Sequence, residues 1–234
     1  MIIHTFQKHG VVQDAIRQHG RYVALRSRSD YILVDREDSS TMFADAYDHM
    51  SHWMDEAGVP RPTPGNGSRH DHHENNDGIV PIWAYVTWPD DEYTSRALLK
   101  PRNWFHALRW KISSIEDRAA YKITDWSPRH LKDLYEFSEW IHGLDLITLS
   151  IPDDKILLSD FDKWGNVLNK WPILDNDHDY DHVDDMSSED ITATFKRCVI
   201  GRGDRVDADH LDGYVQGTIW EIHPEDIVNI QLIS

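Results

Sequence analysis

The stretch Ile156-Leu157-Leu158-Ser159-Asp160-Phe161-Asp162-Lys163-Trp164-Gly165-Asn166-Val167-Leu168-Asn169 constrains the fold more than any other part of the chain. Its opening aliphatics read as a buried strand, and Asp160 stands where a helix N-cap belongs. Trp164 and Leu168 then follow at helical spacing. α/β proteins often place ligands at the end of a strand. Residue by residue, the simpler reading is structural: a core strand, an Asp160 cap, and Trp164 and Leu168 packed beneath. Ser159 and Asp160 are then expected to line at most the rim of a site.

The remaining pattern mixes short strands and helices. Strands are expected over Ile2–Phe6, Arg21–Leu25, Tyr31–Val34, Ile79–Trp88, Leu144–Ile151, Lys155–Leu158, Tyr214–Ile222 and Ile227–Ile233. Helices are expected over Val11–His19, from Ser39 or Ser40 to about Gly58, over Trp104–Ile112, from Ser127-Pro128 to about His142, and over Ser187–Arg197. Strands and helices alternate without a regular βαβ rhythm. The expectation is therefore an α+β protein with a mixed, mostly antiparallel central sheet and flanking helices. It is read as a single domain over 1–234, with a flexible loop at about 60–78 and an acidic loop at about 175–190. Tryptophans in every third of the chain support one shared core.

Charge narrows the partners. The formal net charge is −17, which opposes nonspecific binding to nucleic acid or an anionic membrane. From Asp175 to Asp190 there are eight acidic residues and no Lys or Arg. From Tyr93 to Ile115 there are five Lys or Arg and no acid. The first run reads as a solvated loop, the second as an exposed helix face. No apolar segment reaches membrane-spanning length and no targeting signal is visible, so a cytoplasmic location is expected. The single cysteine, Cys198, excludes an intramolecular disulfide and any Cys-rich zinc site.

Few motifs carry chemistry. Arg69-His70-Asp71-His72-His73-Glu74 holds metal-ligating residue types, but its spacing matches no established site, and no metal is expected. Asp175–Asp181 resembles a calcium loop but has Tyr180 where glycine is needed and Met186 where glutamate is needed. No P-loop, dinucleotide fingerprint, nucleophile elbow or HExxH is present. In Ile82–Trp88 both strand faces are bulky, as in a central strand of the core; the alternative reading is a stacking platform for a flat ligand. On Val215–Ile222, strict alternation places Gln216 on the face of Trp220, where it reads as a polar residue of an edge strand or, alternatively, as a ligand contact.

Four segments together resemble the domain of unknown function 3841 family of bacterial and phage proteins. They are Ile3-His4-Thr5-Phe6-Gln7, Pro81-Ile82-Trp83-Ala84-Tyr85, Ile156–Asn169, and Val215-Gln216-Gly217-Thr218-Ile219-Trp220-Glu221-Ile222. The chain departs from the family at His4 and near Tyr85, where tryptophan is usual, and at Gly165, where histidine is usual. A more distant resemblance is to ADP-ribosyltransferases of the toxin type that modify DNA and RNA. That resemblance implies NAD as substrate and no metal. Thr5 or Gln7 would hold the nicotinamide ribose, Tyr85 would stack on nicotinamide, and Gln216 or Glu221 would take the catalytic carboxylate's role. The function expected on this basis is an NAD-dependent transferase of bacterial and phage conflict. The alternative is a non-enzymatic acidic protein that mimics nucleic acid or inhibits a basic host partner.

Overall fold

A computed structural model describes residues 1–29, 41–62, 78–86, 143–174, 183–207 and 215–233. Ten strands fall within them: β1 (Ile2–Lys8), β2 (Tyr22–Leu25), β3 (Ile79–Val80), β4 (Ile82–Tyr85), β5 (Leu144–Ser150), β6 (Leu157–Asp160), β7 (Val199–Arg202), β8 (Val215–Ile219), β9 (Glu221–Ile222) and β10 (Ile227–Leu232). The described α-helices are α1 (Val11–His19), α2 (Met42–Ala57), α3 (Phe161–Leu168) and α4 (Ser188–Thr194). Seven strands form one sheet in the order β10-β5-β1-β4-β8-β6-β7, and β3-β2-β9 form a second. Every described pairing is antiparallel, and with the flanking helices the architecture is the α+β class expected from the sequence.

Alternation along the strands gives the large sheet two different faces. One face carries Ile3, Ile82, Ala84, Ile147, Leu149, Leu158, Val215 and Ile219, and packs with Val12 and Ile16 of α1 and Ile222 of β9. The other carries Leu157 and Trp83 and packs against Met50, Trp53 and Met54 of α2 and Trp164 of α3. Each fully buried aliphatic side chain contributes about 1.5–3 kcal/mol relative to exposure. Thr218 is also fully buried on the α2 face, where its hydroxyl donates to the Leu157 carbonyl at 3.2 Å.

Local signals hold at several junctions. The Asp160 carboxylate accepts from the Lys163 amide at 3.1 Å, the cap expected from the sequence. Ser187 and Asp190 form a reciprocal capping box at α4, which ends at Thr194 and continues as a 3₁₀ turn over Phe195–Cys198. α1 has no side-chain cap of its own. Gly10, at φ 78°, turns the chain into it, and Asp145 of β5 accepts the Gly10 amide at 2.9 Å.

Two readings are corrected by the structure. β6 extends through Ser159 and Asp160, so Ser159 is a fully buried sheet residue rather than a rim residue. The alternation assumed for Val215–Ile222 breaks at Trp220, which bends the chain out of the large sheet and into the small one. Ile222 therefore packs with Ile219 on the α1 side. The expected strand at Tyr31–Val34, the two helices between 104 and 142, the basic run, the His-rich segment, most of the loop at 60–78 and the first half of the loop at 175–190 lie outside the described residues.

Candidate functional site

Register aligns one row of side chains across the middle of the large sheet. Ser159 faces Gln216, Gln216 faces Tyr85, Tyr85 faces His4, and His4 faces Thr148. Directly paired residues point to the same side, so this row lies on the α2/α3 face. His4 Nδ1 sits 3.1 Å from the Thr148 hydroxyl. Tyr85 is ringed by Phe6 at 6.3 Å, edge to face, and by Phe161 at 5.9 Å between ring centroids. Burial pushes the Tyr85 phenol above its ordinary value, so it stays protonated at neutral pH.

Two members of the row lack the hydrogen bonds that burial demands. Ser159 is 0% exposed and Gln216 is 4% exposed. Ser159 Oγ and Gln216 Nε2 are both buried without a hydrogen-bond partner. Each such atom costs about 1–3 kcal/mol unless a partner is supplied. The two orphans, a donor and a donor–acceptor, belong to residues directly paired across β6 and β8.

The residues expected to form one site are divided among three places. Gln216 and Tyr85 are paired on the α2/α3 face. Thr5 and Gln7 point to the opposite face, beside Ile147 and Asp145, because they are one residue out of phase with His4. There, the buried Thr5 hydroxyl donates to the Trp83 carbonyl at 2.7 Å, and Gln7 Nε2 donates to Thr5 Oγ1 at 3.0 Å. Gln7 Oε1 in turn accepts from the Tyr22 phenol at 2.9 Å, which ties the two sheets together. Glu221 lies in the small sheet, where Arg21 at 3.1 Å and His223 at 3.0 Å bracket its carboxylate. The sheet thus keeps Thr5 and Gln7 out of any pocket that Tyr85 and Gln216 line.

A family model described as domain of unknown function 3841 matches residues 2–228. The chain belongs to this family. No curated protein and no solved structure matches it. All four segments that carry the resemblance to domain of unknown function 3841 enter the large sheet, and three of them, at β4, β6 and β8, meet in the Tyr85–Gln216–Ser159 row. For this family member, therefore, the resemblance tracks the sheet centre.

The sequence placed Ser159 at most on the rim of a site. Its one available signal was a hydroxyl within an otherwise aliphatic strand. Pairing with Gln216 across some 57 residues of chain, fixed by the Ser159↔Gln216 register, could not be read locally. Among the described residues, no group of three or more His, Cys, Asp or Glu side chains is arranged to hold a metal. No described helix is long and apolar enough to cross a membrane.

Proposed function

We propose that the protein binds a small planar ligand rich in hydrogen-bond acceptors on the α2/α3 face of its sheet. NAD is the first candidate, and ADP-ribosyl transfer the candidate reaction class. The observation that carries this reading is the side-by-side burial of Ser159 Oγ and Gln216 Nε2 without partners, next to the Tyr85 ring. A carboxamide such as that of nicotinamide would accept from Gln216 Nε2 and meet the Ser159 hydroxyl, while its ring would lie against Tyr85 and the partly exposed Phe161.

On this reading Gln216 orients the ligand through its Nε2 donor. Glu221 is already balanced by Arg21 and His223 on the other sheet, so it is not assigned the carboxylate's role. Thr5 and Gln7 act as the hydrogen-bonded link between the sheets rather than as ribose ligands. The alternative of an acidic interaction protein rests on the run from Asp175 to Asp190, of which 175–182 lie outside the described residues.

The test is calorimetric titration with NAD and with nicotinamide alone, followed by an assay for nicotinamide release in the presence of nucleic acid. Binding by wild type, weakened at least tenfold in Gln216→Leu at unchanged fold, supports the site. Binding without release supports the site and removes the transferase step. No binding of either compound by wild type overturns the reading.

A further inference from the structure

On the opposite face of the sheet a second polar cluster surrounds one buried carboxylate. The Asp145 side chain is 1% exposed, yet it carries three hydrogen bonds. His9 Nδ1 lies 2.8 Å from Oδ1, while the Gly10 amide at 2.9 Å and Gln13 Nε2 at 3.1 Å both donate to Oδ2. Burial is the largest single influence on this carboxyl and opposes ionisation. The Gly10, His9 and Gln13 donors together outweigh it, so Asp145 sits below the usual aspartate range. It is an anion at neutral pH, and an anion accepts hydrogen bonds without donating any.

That constraint decides the tautomer of His9. In the neutral ring the nitrogen facing Asp145 must carry the proton, so Nδ1–H donates and Nε2 keeps its lone pair. The His9 side chain is 63% exposed while its partner is buried, so the ring is held from inside and presented outward. His9 and Gln13 hold the two oxygens of one carboxylate, and the outward His9 Nε2 is the acceptor open to a ligand that brings an O–H or N–H donor.

We propose that His9 is a proton-accepting residue for a hydroxyl-bearing small molecule, with Asp145 as its positioning residue. His9 Nε2 takes the proton of a bound hydroxyl or water, and the oxygen keeps the electron pair. The imidazolium that forms is balanced by the Asp145 carboxylate, which stays ionised. Gln13 and Gly10 hold that carboxylate in place. This assignment stands independently of the Ser159–Gln216 face, since Asp145 pairs with Gln7 on the α1 side of the sheet.

Two measurements on the intact wild-type chain test it. Long-range ¹H–¹⁵N correlation spectra of neutral His9 should show the Nδ1–H tautomer. Diethyl pyrocarbonate should acylate His9 several-fold faster than His52, which is similarly exposed but lies beside the Glu56 carboxylate through Nε2. In that probe reaction Nε2 attacks a carbonyl carbon, the carbon–oxygen bond to ethyl carbonate breaks, and the Nδ1 proton is released. Asp145→Asn, checked for folding by thermal melting, should return His9 to the Nε2–H tautomer and to the rate of His52. An Nε2–H tautomer in wild type overturns the proposal. So does a His9 rate no higher than that of His52, which would leave the pair as a structural cap on α1.

Discussion

Replacing Gly217 with alanine tests how tightly the sheet centre is packed. Gly217 lies opposite Ala84 on one side and Leu158 on the other, in the middle of β8. A Cβ added there would overlap Ile156 Cδ1, sit 3.0 Å from Ile156 Cγ1 and sit 3.1 Å from Val86 Cγ2. Ordinary carbon contacts are about 3.5–4.0 Å. Ile156 is 0% exposed, so it has no open space to swing into. Overpacking of this kind costs about 1–3 kcal/mol, offset by the roughly 0.5–1 kcal/mol that alanine recovers over glycine in backbone entropy. The expected net loss for Gly217→Ala is about 1–2 kcal/mol. Ile156→Val removes the overlapping Cδ1 and by itself costs about 0.5–1.5 kcal/mol. The double variant should then be more stable than the sum of the two single losses by about 1 kcal/mol. Urea unfolding of all four proteins, with unchanged slopes, measures this cycle. Additivity within about 0.5 kcal/mol, or a Gly217→Ala protein as stable as wild type, would refute the packing argument.

Three further outcomes are expected. Ser159→Ala should stabilise the ligand-free protein by about 1 kcal/mol, because it deletes a buried hydroxyl with no partner; a thermal melt showing clear destabilisation would mean that the hydroxyl is satisfied. Burial holds the His49 imidazole below its ordinary value of 6.5, despite the opposing pull of Asp45 and Asp48. The fold favours neutral His49, so its contribution is complete above that value and is lost as pH falls through the lower folded value. His49→Phe, which can keep the stacking on Trp53, should therefore lose less stability than wild type between about pH 7 and pH 5; parallel urea profiles for the two proteins would sink the idea. The Cys198 thiol, pushed up to about 12 chiefly by burial, should resist aromatic disulfide reagents at about pH 8 until the protein is unfolded in guanidinium. Rapid labelling of the native protein would contradict its buried placement.

Much of the fold was legible because its signals are local. Asp160 as a cap, Ser187 as a cap, and strand periodicity at β1, β4 and β5 depend on residues close in the chain. The central placement of β4 followed from bulky groups on both of its faces, and it does lie between β1 and β8. The site was less legible. Thr5 and Gln7 were grouped with Tyr85 by the resemblance to ADP-ribosyltransferases, which carries no information on strand phase. Sequence periodicity says which residues of one strand share a face, but not which face of a neighbour they join. Glu221 lies in the small sheet because the chain bends at Trp220. The bend at Trp220 is stabilised by a ring buried under Arg61, with the guanidinium 4.3 Å above it, a contact between segments far apart in sequence.

By itself the sequence determined the α+β class, the principal described strands and helices, and the family, since each rests on local periodicity, caps or motifs. The tertiary structure decided which residues meet. The His4↔Tyr85 register set Tyr85, Gln216 and Ser159 on one face and sent Thr5 and Gln7 to the other. It also brought Asp145 to His9 across the β1–β5 pair. A one-residue change of phase in a strand reverses the side on which every side chain emerges, and that phase is fixed by pairing between distant segments.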